Sequence, residues 1–172
     1  KSLKIIVKQI NQIENLVNEF SDFARMPKPI LKDNNLVPII KDNIDLIKAL
    51  DKSVIINFSS NKNDVILNCD NEQLSRVFFN MIKNSIESIQ EKKEKDIIFE
   101  AKIDIIVNDN LSNIDFIIID NGMGFKMFED NIKSILNPYF TTKEKGTGLG
   151  LAIVNKTIYD HNGTINFIPT EN

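Results

Sequence analysis

A single cysteine, Cys69, stands in the 172-residue chain. That excludes an intrachain disulfide and a cysteine-built zinc site, and it fits a reducing compartment or a protein indifferent to redox. Histidine is as scarce, with His161 alone. Arginine is limited to Arg25 and Arg76, and Lys plus Arg number 21 against 24 Asp plus Glu, for a net charge of -3. Such a balance argues against nucleic-acid binding. No apolar run approaches the roughly 18 to 20 residues that a membrane-spanning helix needs, and the N-terminal KSLKIIVKQINQIENLV is broken throughout by Lys, Gln and Asn. It reads as neither signal peptide nor anchor, and no membrane contact is expected of this segment. What is present, 42% hydrophobic and 26% charged residues, is the composition of one folded domain with an appendage, long enough to hold a core without staples.

Leu3, Ile6, Ile10, Ile13, Val17, Phe20 and Ala24 recur at alternating steps of three and four, the a/d seam of a heptad repeat. Leu16 and Phe23 widen the stripe, which suits a four-helix bundle better than a two-stranded coil; an amphipathic helix lying on its own domain is the alternative. Pro27 and Pro29 end this helix. A second helix is expected over Leu36 to Leu50, with Pro38 tolerated in its first turn. Short strands are expected at 54–59 and 65–69. A third helix runs from about Asn71 to Lys93, opened by Asp70 with Gln73 as a capping-box partner. Strands at 97–107 and 114–120 follow, then a helix from about Gly148 to His161 and a strand at 164–168. This order predicts a layered α/β sandwich with the first helix standing apart.

Three clusters carry chemistry. In RVFFNMIKNSIESI, Asn80 and Asn84 are one helical turn apart at the border of the buried stripe, so their amide oxygens can converge. Paired amide oxygens suit Mg²⁺, a hard cation that keeps several waters, although for the pair taken alone a solvated helix face is the simpler reading. In IIIDNGMGF, Asp120 ends an apolar strand before Gly122 and Gly124. A carboxylate there can accept from an exocyclic amine while the glycines let a flat ring approach; Asp-Asn-Gly is also an ordinary turn. In PYFTTKEKGTGLGLAIV, Gly146, Gly148 and Gly150 precede a helix, beside Thr141, Thr142 and Lys143. Open amides at a glycine-rich helix start attract phosphate, and a flexible turn is the alternative reading. The spacing of a P-loop is absent.

In order and separation the three clusters resemble the N box, the first glycine box, the F box (NPYFTT) and the second glycine box of bacterial sensor histidine kinases. The resemblance runs from about Leu36 to Phe167. It implies an α+β fold, a two-layer α/β sandwich of the Bergerat ATP-binding type, with a mixed sheet carrying helices on one face. ATP and Mg²⁺ are the implied cofactors. Asn84 would be the main Mg²⁺ ligand with Asn80 supporting it, and Asn80 and Lys143 would be the catalytic residues. Asp120 would read the adenine amine. Lys83, Asn84, Gly122, Gly124, Phe140, Thr141, Thr142, Gly146, Thr147, Gly148, Leu149 and Gly150 would complete the nucleotide site, under a lid over about 125–146.

LVNEFSDFARMPKPIL is similar to the end of the dimerisation bundle in kinases of the NtrY type, of the nitrogen-regulation class. Residues 1–27 would then be the second helix of a dimerisation and phosphotransfer hairpin, 28–35 a linker and 36–172 the ATP-binding domain. The implied partners are a second copy through the first helix, in the parent protein, and a response regulator. The implied location is cytoplasmic, under a parent anchored in the inner membrane. The phosphoacceptor His of the first hairpin helix is absent, His161 falls where the family places a structural residue, and the strand usually following TINFI is missing, so the resemblance implies a chain cut at both ends. Two other functions compete: a gyrase- and chaperone-like ATPase, disfavoured because Asn80 stands where those carry a Glu base, and a catalytically silent ATP-sensing interaction module.

Overall fold

The computed structural model describes residues 2–94, 99–124, 134–141 and 146–168. Helix α1 (Ser2–Ala24) closes ahead of Pro27, as the two prolines dictate. Its seam residues Leu3, Ile6, Ile10, Ile13, Val17 and Phe20 are all exposed. Among the described residues, nothing covers these seam positions.

Strand β1 (Lys32–Asn35) pairs antiparallel with β3 (Ile66–Cys69), Lys32 lying opposite Cys69. The sequence places a linker over 28–35, and its second half is instead this strand. The sequence KDNN has no apolar alternation to announce it, and the pairing is made by backbone, with Asn34 Nδ2 donating to Cys69 O at 2.8 Å. Asn35 then opens α2 (Leu36–Leu50), its Oδ1 accepting from Val37 N and from Val65 N.

The larger sheet has the order β2 (Ile55–Ser60), β4 (Lys102–Asp109), β5 (Ile114–Asp120). β2 runs parallel to β4 and β5 antiparallel to it. The parallel pair needs a crossover, and α3 (Asn71–Lys93) lies within it. Inward residues alternate as a one-sided sheet requires: Ile103, Ile105 and Val107 are buried while Ile117 and Ile119 face out. The inner face packs on α2 and α3, where Ile40, Ile82 and Ile89 are fully enclosed; each such side chain contributes about 1.5–3 kcal/mol relative to exposure. Phe78 of α3 meets Phe116 of β5 with ring centroids 4.6 Å apart. Helix α4 (Gly150–Asp160) completes the helical layer against α3, burying Ala152, Val154 and Thr157. A mixed sheet with helices on one face is the expected sandwich.

Two strand expectations need correction. The strand placed at 97–107 begins at Lys102; residues 97 and 98 lie outside the described residues. TINFI at 164–168 is not a regular strand, although Ile165 still packs against the core. Its alternation reflects a half-buried face, Ile165 and Phe167, beside exposed neighbours. No described helix is long and apolar enough to cross a membrane.

Candidate active site

Helix α3 organises the site. Asp70 caps it, Oδ1 accepting from Gln73 N at 3.0 Å. The reciprocal half of a capping box does not form: Gln73 Nε2 donates to Pro27 O, and Asp70 N donates to His161 Nε2 at 3.0 Å. His161 Nδ1 lies 2.7 Å from Thr157 O, so the ring carries its proton on Nδ1 and both nitrogens are engaged. Asp70 Oδ2 accepts from Ile30 N at 2.8 Å, tying the segment after α1 to the start of α3. Burial acts to raise the Asp70 carboxyl, but the backbone N–H groups of Ile30, Gln73 and Glu72, with His161 nearby, outweigh it and hold the group below the ordinary value.

Farther along α3, Asn80 and Asn84 are half-buried at the edge of a stripe made by Val77, Phe78, Ile82, Ser85 and Ile86. Neither side-chain amide has a protein hydrogen bond among the described residues. Lys83 between them is exposed, 3.8 Å from Glu87 Oε1. No group of three or more His, Cys, Asp and Glu able to hold a metal occurs among the described residues. The donors available beside Asn80 and Asn84 are neutral amide oxygens, which fits a hard cation that brings waters and phosphate oxygens with it.

Asp120 ends β5, and the turn after it is realised as an Asx turn, Oδ1 accepting from Gly122 N at 3.0 Å. The carboxylate's other oxygen has no protein partner among the described residues. Gly122 serves a purpose the sequence did not suggest. A Cβ there would lie 2.7 Å from Ser88 C and 2.8 Å from Ile89 N, so the missing side chain makes room for the backbone of α3 rather than for a ring. Gly124 has φ of 66° with open space around it, so backbone conformation alone selects it. Asn121 fastens the turn to the sheet: Oδ1 accepts from Lys102 N and Nδ2 donates to Glu100 O, both at 2.9 Å.

The F box and the second glycine box meet directly. Tyr139 N donates to Gly148 O at 3.0 Å, and a Cβ on Gly148, whose φ is 70°, would sit 2.5 Å from Tyr139 C. Buried Ile135 and Leu149 anchor the two segments, and Phe140 is half-buried beside the crossing. α4 begins at Gly150, two residues past Gly148, and its cap position, Leu149, supplies no side-chain acceptor. Thr141 is exposed, Gly146 is exposed and Thr147 half-buried. Thr142, Lys143 and most of the expected lid, 125–133 and 142–145, lie outside the described residues. A separate groove of about 680 Å³, lined by Asn34, Asn35, Asp42, Glu72 and Arg76 among others, meets these clusters only at Arg76, the first residue of RVFFNMIKNSIESI.

Residues 69–172 match the family described as histidine kinase-, DNA gyrase B-, and HSP90-like ATPase. The chain belongs to that family. Over 169 residues, 98% of its length, it is 36% identical to a protein of Rickettsia prowazekii (strain Madrid E) named as a sensor histidine kinase, NtrY-like. It is 35% identical over 160 residues, 93% of its length, to nitrogen regulation protein NtrY of Azorhizobium caulinodans. The chain spans 27% and 20% of those two relatives. In structure it is similar to the nucleotide-free catalytic domain of histidine kinase ThkA, with a TM-score of 0.65 and 26% identity over 76% of this chain and 81% of that one. ThkA in complex with the response regulator TrrA shares the fold over 100% of this chain and 47% of that one, with a TM-score of 0.71 and 23% identity.

Proposed function

We propose that this chain is the ATP-binding catalytic part of an NtrY-type sensor histidine kinase of the nitrogen-regulation class. It takes the γ-phosphate of ATP to a His on a dimerisation hairpin, for relay to an Asp of a response regulator. The observation that carries the reading is that one helix, α3, presents Asn80 and Asn84 and also touches the turn that holds Asp120. Metal-binding amides and a base-reading carboxylate are thereby set on one frame. Asp120 accepts the adenine amine through the oxygen its turn leaves open. Gly124, Phe140 and Thr141 border the nucleotide, with Lys83 and Gly122 supporting. Thr142, Lys143 and the amides of Gly146, Thr147, Gly148, Leu149 and Gly150 meet the phosphates, aided by the uncapped start of α4. Asn84, with Asn80, holds Mg²⁺, which when bound offsets charge on the phosphate oxygens. Asn80 in place of a carboxylate base leaves water unactivated, which favours transfer over hydrolysis.

His161 is no acceptor in this scheme. Both ring nitrogens are occupied, and it sits beyond the far end of α4, an 11-residue helix about 16 Å long at 1.5 Å per residue. The exposed seam of α1 supports pairing with a second copy in the parent protein, on the cytoplasmic side of an inner-membrane anchor. The ThkA–TrrA complex supports a response regulator as the downstream partner. Calorimetry should find ATP bound at least about tenfold more tightly than GTP, because guanine turns a carbonyl oxygen toward Asp120. γ-Labelled ATP should leave the chain unlabelled and label an added hairpin that bears the acceptor His. Equal affinity for the two nucleotides, or label on His161, would overturn the reading.

A further inference from the structure

We infer that Ser88 is a positioning residue for base selection, and that Lys92 assists it from the next turn of α3. The inference rests on the proposed reading of Asp120 as the adenine acceptor. Met123 N donates to Ser88 Oγ at 3.0 Å and approaches Ser88 O at 3.3 Å. Lys92 Nζ donates to Asn121 O at 2.9 Å while lying 4.6 Å from the Phe99 ring centroid. The backbone on both sides of Gly122 is thus held to α3, and the absent Cβ of Gly122 lets that contact close.

The consequence is geometric. Asp120 is oriented by its own turn, through Gly122 N, so whatever fixes Gly122 and Met123 fixes the carboxylate. Ser88 stands one helical turn beyond Asn84, about 6 Å along the axis. A single rigid helix therefore sets the spacing between the base-reading carboxylate and the metal-binding amides. Without the Ser88 hydroxyl, Met123 N keeps its longer approach to Ser88 O, a carbonyl already committed to the helix, while Lys92 still holds Asn121 O. The carboxylate then adapts to either base, and discrimination falls while general affinity for the triphosphate persists. A purely structural role would lower stability and weaken both nucleotides alike.

The experiment compares ATP and GTP affinities of this chain by calorimetry for the wild type, Ser88→Ala and Lys92→Met, with amide hydrogen exchange at Met123 followed by NMR. In Ser88→Ala the ratio of ATP to GTP affinity should fall about fivefold, chiefly through ATP, with faster exchange at Met123. Lys92→Met should lower the same ratio by about twofold, and it keeps the inference testable if the serine variant is poorly folded. A wild-type ratio retained in both variants, with Met123 exchanging faster, overturns the positioning role alone. A wild type that does not prefer ATP overturns the underlying reading of Asp120 instead.

Discussion

At the Asp120 end of the site a short turn is tied to two regular elements, whereas at the Gly148 end one loop is tied to another. The first is held by Ser88 and Lys92 from α3, and by Asn121 bridging to Glu100 and Lys102 at the start of β4. The second includes the Tyr139–Gly148 backbone bond and the buried side chains of Ile135 and Leu149. A base must be told from its competitors by a fixed acceptor, which favours a stiff mount. In the proposed reading, phosphates are gathered by backbone N–H groups at a helix start that no side chain caps. In that reading the two ends differ as recognition of a base edge and capture of charge would require of their geometry.

Glycine substitutions sharpen that contrast and carry the largest expected effects. In Gly122→Ala the new Cβ meets α3 backbone at 2.7 and 2.8 Å, which cannot yield without moving the central helix. Stability should fall by about 3 kcal/mol, read as a lower urea midpoint. In Gly148→Ala the clash is with the Tyr139 and Phe140 backbone, at a φ of 70°. A loop yields more readily than a helix, so stability should fall by only about 2 kcal/mol, with a larger share of the damage appearing as lost ATP affinity. Equal losses of stability and affinity in the two variants would break the distinction between a stiff and a yielding end.

How much of this was readable beforehand depends on where each partner lies. α2 and α3 were legible because caps and apolar periodicity are local: Asn35 and Asp70 open them where the pattern begins. Asn80 and Asn84 at a stripe border, and Asp120 at a strand end, follow from the same periodicities. β1 was not legible, since KDNN pairs through backbone with residues more than thirty positions away. The reason for Gly122 was hidden because the neighbour that forbids a Cβ is Ser88, and nothing in DNGMG names it. Ser88 itself could have been suspected from NSIES, one turn past Asn84, but its bond to Met123 spans 35 residues. TINFI misled because its alternation records a half-buried face, which does not require a regular strand.

Acid should separate the stapled start of α3 from the rest of the helix. Asp70 is held below the ordinary carboxylate value, so its contribution is complete above the unfolded value near about pH 4 and is lost as pH falls through the lower folded one. Asp104, lowered by its bond to Lys102 and then by Asn57, adds a second acid-labile contact between strands. Asp51, lowered by Ser53, adds a third. Asp70→Asn keeps a competent cap and removes the charge, so the fall in urea midpoint between pH 7 and strongly acid solution should be shallower than in the wild type. An unchanged acid slope would show that Asp70 gains nothing from its charge.

The smallest effect is expected at His161, and it tests whether the two halves of α3 act separately. His161→Ala leaves Asp70 N without its acceptor, a loss of about 1 kcal/mol at a half-buried position. It disturbs the junction where Asp70 and Gln73 hold Ile30 and Pro27, while Ser88 and Lys92 grip the Asp120 turn from the opposite half of the helix. A slightly lower thermal midpoint should therefore accompany an unchanged ratio of ATP to GTP affinity. A shifted ratio would mean that the cap of α3 is felt at the Asp120 turn, and α3 would then be a lever between the segment after α1 and that turn rather than a fixed frame.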